Sequence, residues 1–464
     1  MRYLSTRGGV TPIGFGDAVM MGLATDGGLL VPETIPQIDD ATWSRWAGLS
    51  FAELAVEVML PYVEPDLSRA ELTELVQASY RSFDHPEVAP LVEAGGLPIL
   101  ELFHGPTAAF KDVALQFLGN LFEFLLERRG GRLNILGATS GDTGSAAIAG
   151  VRGKDRIHIF ILHPKGRVSP IQERQMTTIL DANVHNIAIR GTFDDGQRIV
   201  KALFRDLEFK ASHQLGAINS INWTRVLAQI VYFVYAWGRV SGGDTRHRVS
   251  FSVPTGNFGD VFAGYMAKRM GLPVDRLVVA TNRNDILTRF MQTGRYAVSS
   301  VHPSISPSMD IQVASNFERY LFELFGRDPA AVRTAMQQLA DAGGFSVTPA
   351  QLSAAQADFD AAAVDDDSTL AQIRDTHAAS GYVLDPHTAI GVRAAAQPGT
   401  VCLATAHPAK FPAAVEQAIG EQAAPPRSLQ GVLEGETRCV ELDADEAAIK
   451  AFMQQTLQNA ATPS

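Results

Sequence analysis

The sequence predicts an α/β protein whose sheet is parallel and covered by helices on both faces. Three observations predict it. Short apolar runs at residues 133–136, 157–162, 249–253 and 401–404 have the length of buried strands. Helical patterns alternate with these runs, and the connections between them are rich in Gly, Pro, Ser and Thr. The chain has 464 residues, 46% hydrophobic and 19% charged, which is enough for a large core without bridges or metals. At roughly 150 residues per domain this is about three domain-sized units, or two with embellishments.

Along the chain, the first hundred residues read as mixed. A glycine-rich start and the loop at Asp26, Gly27 and Gly28 precede helical patterns near 51–60 and 68–82. From Leu97 the pattern becomes strand, loop, helix. Apolar positions Phe110, Val113, Ala114, Phe117, Leu118, Leu121, Phe122 and Leu125 recur three and four apart, an amphipathic helix that Thr107 is placed to cap. Residues 226–237 form the longest apolar stretch, interrupted by Gln229 and too short to span a bilayer, so they predict a buried helix. A helix is predicted at about 261–270. Residues 320–380 are alanine-rich with few strand signals and predict a helical insertion, in which Asp365, Asp366 and Asp367 form a solvated surface run. The segment beyond 420 begins with Pro425 and Pro426 and ends in a short helix.

Composition excludes several classes. Lys plus Arg number 39 against 50 Asp plus Glu, a net charge of −11, which argues against nucleic-acid and anionic-membrane partners. Two cysteines, Cys402 and Cys439, allow neither a disulfide framework nor a Cys-based zinc site and suit a reducing compartment. The opening residues lack a signal-peptide apolar core, so a cytoplasmic location is expected. No H-E-x-x-H occurs, no histidine spacing suggests a metal, and no G-x-G-x-x-G supports a dinucleotide fold.

Five segments can carry chemistry. Lys111 follows Thr107, Ala108, Ala109 and Phe110 into the first turn of the amphipathic helix. Apolar neighbours and the positive helix end disfavour its charged form and suit it to a Schiff base; a snorkelling surface lysine is the alternative. Ser140, Gly141, Asp142, Thr143, Gly144 and Ser145 lie between a strand and a helix, where backbone N–H groups and hydroxyls make either an anion cradle or a simple cap. Gly256, Asn257, Phe258, Gly259 and Asp260 occupy the same kind of junction and fit a phosphate. Thr405 at a strand end can meet a neutral heteroaromatic nitrogen, and nearby His407 is either a base or a structural hydrogen-bonder. Ser220, Asn222 and Arg225 belong to a donor-rich cluster that either holds a second anion or caps the following helix.

Two phosphate-type cradles and a lysine in an apolar first turn describe a pyridoxal phosphate enzyme acting on an anionic amino acid. In order along the chain, the Ala109-Phe110-Lys111-Asp112, Ser140-Gly141-Asp142-Thr143-Gly144, Gly256-Asn257-Phe258-Gly259-Asp260 and Thr405-Ala406-His407-Pro408 segments resemble threonine synthases of the longer bacterial and fungal type. The openings Tyr3-Leu4-Ser5-Thr6-Arg7 and Gly22-Leu23-Ala24-Thr25-Asp26-Gly27-Gly28-Leu29 resemble that family too, and the likeness extends over about residues 1–415.

The resemblance implies a fold-type-II enzyme with two parallel-sheet α/β lobes. The expected parts are an N-terminal segment at 1–95, a smaller lobe at 96–220 and a larger lobe at 221–420 containing the insertion, then a tail at 421–464. Lys111 resembles the family's Schiff-base lysine, the 256–260 loop its cofactor-phosphate cup, and Thr405 the partner of the pyridine nitrogen. Ser140, Gly141, Asp142 and Thr143 would take the substrate carboxylate, and Ser220, Asn222 and Arg225 its phosphate. Asp142 departs from a pattern in which many fold-type-II enzymes carry asparagine. The implied reaction converts O-phosphohomoserine and water to threonine and phosphate, by a monomer or homodimer. A serine/threonine dehydratase, a β-replacing synthase and a non-catalytic phospho-ligand-binding homologue are the alternatives.

Overall fold

The computed structural model describes residues 1–461. They form two units, Met1–Phe117 with Ser220–Ser428, and Leu118–Asn219 with the chain from Leu429 onward.

The larger unit is built on six strands in the order Phe359–Ala363, Val274–Thr281, Val249–Pro254, Val401–Ala404, Leu97–Glu101 and Leu91–Ala94. Every neighbouring pair is parallel except the last, which is antiparallel. Helices cover both faces, as predicted. On one, Ile99, Cys402 and Ala404 pack with Ile373, Ala389 and Val392 from the helices Asp366–Ser380 and Pro386–Ala394. On the other, Phe233 of the helix Trp223–Ser241 meets Phe251 edge-on at 5.1 Å, and Gly264 lets the helix Gly259–Arg269 close against Phe233 and Leu277. The predicted buried helix is found: residues 223 to 238 are all buried. Because Val401–Ala404 inserts between Val249–Pro254 and Leu97–Glu101, three adjacent parallel strands empty their carboxyl ends into the loops that begin at 102, 255 and 405. Ligands of open α/β sheets bind at such a point.

The 320–380 region is mostly helical, but two strands escaped the sequence reading. Gly344–Ser346 pairs with Arg295–Ala297, and Phe359–Ala363 completes the edge of the main sheet beside Val274–Thr281. The alanines of Phe359–Ala363 have little strand propensity, and pairing with an existing edge decides their state. Asp365 caps the helix Asp366–Ser380 by accepting from the Ser368 N–H at 2.8 Å, so the acidic run is a surface helix start.

The smaller unit holds an all-parallel sheet in the order Val440–Asp443, Val184–Arg190, Ile157–Pro164, Leu133–Ala138 and Leu215–Gly216. Two of the expected boundaries differ from these units. The strand Leu97–Glu101 bonds to Val401–Ala404, which assigns residues 96–117, Lys111 included, to the larger unit. The tail joins the smaller one: Val440–Asp443 extends its sheet, while Ile449 and Met453 enter its core beside Ile199 and Leu203. Residues 1–95 also belong to the larger unit, where Tyr3 and Tyr62 pack on Trp223. Among the described residues no helix is long and apolar enough to cross a membrane, and no cluster of three or more His, Cys, Asp or Glu could hold a metal.

Candidate active site

Lys111 opens the helix Lys111–Arg129. Its approach is fixed by the last strand of the larger sheet and the loop after it: the Leu102 N–H donates to Ala404 O at 3.0 Å, the Phe110 N–H to Thr405 O at 2.8 Å, and the His407 N–H to Ala108 O at 3.1 Å. Ala109 and Ala406 form an antiparallel bridge between these bonds. Ala108 has φ 55°, a left-handed conformation costly for a residue with a Cβ and common where function imposes strain. Lys111 itself is half-buried, with Nζ 5.3 Å from the Phe110 ring centroid.

Thr107 does not cap this helix as predicted. Its N–H and hydroxyl both donate to the buried Asp112 carboxylate at 2.8 Å, because the first helical residue lies four positions further on. Its carbonyl accepts from Lys410 Nζ at 2.7 Å. Burial pushes the Asp112 carboxyl up to about 6, against the pull of the Thr107 donors and of Lys410.

The 256–260 loop leaves the strand Val249–Pro254 and opens the helix Gly259–Arg269. Phe258 stands at the N-cap with φ 64°, and among the described residues no side chain caps this helix. Its first N–H groups therefore lack a side-chain cap, and a helix start of this kind can bind phosphate. Both glycines pack closely, Gly256 against backbone. A Cβ at Gly256 would lie 2.7 Å from Ser308 O, and one at Gly259 would lie 3.1 Å from Asn316 Nδ2. Asn257 is clamped: its carbonyl accepts from the Asn316 N–H at 3.0 Å and its Oδ1 from the Ser315 hydroxyl at 3.1 Å. The Asp260 side chain turns into the core, where Oδ1 accepts from the Tyr232 hydroxyl and Oδ2 makes no hydrogen bond. Burial lifts this carboxyl to about 7, so the Asp260 side chain is not an anion ligand.

Thr405 is buried, and its N–H donates to Thr388 Oγ1 at 3.2 Å. His407 takes the structural alternative: Nδ1 accepts from the Ala409 N–H at 3.2 Å, the ring meets Phe103 edge-on, and burial drives its pKa down to about 4.

The donor-rich cluster divides into three fates. Asn222 is the helix cap, accepting from the Thr224 N–H at 3.0 Å and donating to Val19 O at 2.9 Å, which commits both ends of its amide. Ser220 shares a 3.0 Å bond with Ser315, the residue that holds Asn257, and so joins the 256–260 loop. Arg225 is buried with Nε and Nη1 unbonded, and burial lowers its pKa to about 10.

In the smaller unit the 140–145 loop is partly self-satisfied. Thr139 Oγ1 accepts from the N–H groups of Gly141 and Gly144 at 3.0 and 2.9 Å, and the Ser145 hydroxyl, expected to face an anion, donates to Gly141 O at 3.1 Å. The Asp142 carboxylate accepts from Gln172 Nε2 at 2.8 Å. Exposed Ser140 and half-buried Thr143 are the outward hydroxyls. Sequence reasoning missed Asp385, His387, Thr388 and Ser308, which surround Thr405 and Gly256. The run Asp385-Pro386-His387-Thr388 carried a readable signal, an Asp cap before a proline at the first helical position.

An uncapped helix start with a glycine that has no room for a Cβ, a hydroxyl at a strand end and a lysine next to the residue bonded there fit the phosphate, ring nitrogen and aldehyde of pyridoxal phosphate. Fold and site together define a fold-type-II pyridoxal phosphate enzyme, and the family model for pyridoxal-phosphate dependent enzymes matches residues 86–405. The models for the threonine synthase N terminus and the threonine synthase C-terminal region match residues 2–80 and 388–453. The curated threonine synthase of Pseudomonas aeruginosa is 51% identical over 463 residues, 98% of each chain. Two solved structures superpose closely. The PLP-bound threonine synthase of Brucella melitensis has a TM-score of 0.95 at 46% identity, covering 98% of this chain and 99% of that one. The yeast threonine synthase gives 0.93 at 43% identity, with 99% of both chains covered. The chain belongs to the threonine synthase family.

Proposed function

We propose that this chain converts O-phospho-L-homoserine and water to L-threonine and phosphate, the last step of threonine biosynthesis, as a cytoplasmic monomer or homodimer. The observation that carries the site assignment is the backbone pairing of 108–110 with 405–407, which holds Lys111 beside Thr405 in the larger unit. Bound pyridoxal phosphate supplies the electron sink that makes the substrate's Cα proton removable.

The chain's own residues do the rest. Gly256, Asn257, Phe258, Gly259 and Asp260 offer backbone N–H groups to the cofactor phosphate. Thr405 presents a neutral hydroxyl to the pyridine nitrogen, which leaves that nitrogen unprotonated and moderates the sink. Ser140, Gly141, Asp142 and Thr143 take the substrate carboxylate, with hydroxyls and backbone N–H groups as donors. Arg225 receives the substrate phosphate, since its buried guanidinium has unused donors. Ser220 and Asn222 serve this site from behind, through the bonds to Ser315 and to the helix start. The Lys111 amine removes a proton at Cα and one at Cβ, the γ-phosphate departs with its C–O bonding pair, a proton is delivered to Cγ, and water adds at Cβ as the Cα proton is returned. General acid–base work of this kind contributes about 10²–10⁴-fold.

The test is Lys111→Ala. The variant is expected to lose the visible absorption band of the bound cofactor and all phosphate release from O-phosphohomoserine, and retention of both overturns the assignment. The wild-type chain given threonine should release no ammonia, which separates this reaction from a dehydratase.

A further inference from the structure

Asp385 is buried at the N-cap of the helix Pro386–Ala394 and collects four donors. Two belong to the helix backbone, the N–H groups of His387 at 2.9 Å and Thr388 at 3.3 Å. The other two are side chains, His387 Nδ1 at 2.9 Å and the Thr388 hydroxyl. A cap needs only the backbone pair. Each side chain, having given its proton to Asp385, presents an acceptor on its far side. Thr388 Oγ1 accepts from the Thr405 N–H at 3.2 Å, and His387 Nε2 accepts from the Ser308 N–H at 3.2 Å. A backbone N–H can only donate, so every proton in this network has a fixed direction, and the imidazole is neutral with its hydrogen on Nδ1.

The two arms end on opposite sides of the proposed cofactor site. Thr405 carries one, and its carbonyl fixes the Phe110 N–H immediately before Lys111. Ser308 carries the other, and its carbonyl lies against Gly256 so closely that a Cβ there would sit 2.7 Å away. We propose that Asp385 is a positioning residue: through Thr388 and His387 it holds the ring-nitrogen side and the phosphate side of the pyridoxal phosphate site in one fixed relation. The proposal rests on the site reading given above. It places no part of Asp385 on the cofactor or substrate.

The experiment compares holoenzyme carrying Asp385→Asn with Thr388→Val and His387→Phe, reading cofactor affinity, the cofactor's absorption maximum, its phosphorus NMR shift and the unfolding midpoint. Asparagine still caps the helix but brings an amide N–H₂ against two donors, so one arm must reverse or break. Asp385→Asn is expected to weaken cofactor affinity about tenfold, the size of one lost bond in a buried network, and to move both spectroscopic signals. Thr388→Val should move the absorption maximum, and His387→Phe the phosphorus resonance. If Asp385→Asn lowers only the unfolding midpoint, or changes nothing, Asp385 is merely a cap and the proposal falls. Should Asp385→Asn fail to fold, the two single-arm variants decide, and identical or absent spectral effects in both overturn it. The Lys111→Ala experiment judges the site reading separately: loss of the band in that variant with silent signals here overturns the coupling alone.

Discussion

Replacing Gly256 by alanine puts a methyl carbon 2.7 Å from the carbonyl oxygen of Ser308, where ordinary contact begins at 3.4 Å. The loop or its neighbour must therefore yield by 3.4 − 2.7 = 0.7 Å. Neither is loose. Ser308 is held by His387 at 3.2 Å, and Asn257, the next residue along, is held by the Asn316 N–H at 3.0 Å. Overpacking of this kind costs about 1–3 kcal/mol. Borne by the loop proposed to hold the cofactor phosphate, that becomes roughly a 5- to 150-fold loss of cofactor affinity. The assay is equilibrium dialysis of pyridoxal phosphate against Gly256→Ala, with thermal unfolding of the cofactor-free protein alongside. Gly48→Ala is the control, since a Cβ at that exposed glycine would meet nothing within 4 Å. The control should bind cofactor normally and unfold at the same temperature or slightly higher. Wild-type affinity in Gly256→Ala, or a loss confined to unfolding temperature, refutes the claim that this glycine shapes a phosphate site.

Two further outcomes follow from buried charges. Asp260 has a folded-state pKa of about 7 against a reference of 3.8, so its contribution to stability is complete below the reference value and is lost as pH rises through about 7. Asp260→Asn keeps an acceptor for Tyr232 without the charge. Its unfolding midpoint relative to wild type should climb between pH 4 and pH 7, and a pH-independent difference contradicts the burial argument. Arg225→Met removes a buried cation whose Nε and Nη1 are unbonded, so the fold should survive with little change in unfolding temperature. If Arg225 receives the substrate phosphate, kcat/KM for O-phosphohomoserine should fall roughly 10- to 150-fold, the value of a charge-assisted hydrogen bond, and an unchanged kcat/KM removes Arg225 from the site.

Much of the candidate site can be read from sequence because its parts are local. A strand, a glycine-bearing turn and a helix start occupy a dozen consecutive residues, so the 140–145 and 256–260 loops announce themselves in sequence. Lys111 was legible for the same reason, as a cation in an apolar first turn. Local reading failed where one side chain had two plausible partners. Thr107 could cap a helix or bond Asp112, and Ser145 could face an anion or its own loop; in both cases a bond within the local segment won. Asn222 read equally as ligand or cap, and Val19, two hundred residues away, settled the competition.

Local sequence carries the inventory: an α/β chain, parallel strands covered on both faces, two glycine-bearing strand-to-helix loops and a lysine in an apolar first turn. These follow from hydrophobic period and from turn chemistry, which act over a few residues. Only the tertiary structure decided which strand lies beside which. Val401–Ala404 inserts between the strands Val249–Pro254 and Leu97–Glu101, both far earlier in the chain, and that pairing brings Thr405 to Lys111 and places residues 96–117 in the larger unit. It also made an edge strand of the alanine-rich Phe359–Ala363 and a sheet strand of the tail at Val440–Asp443. Strand order is a contest among distant hydrogen-bonding partners, and no window of local sequence contains both competitors.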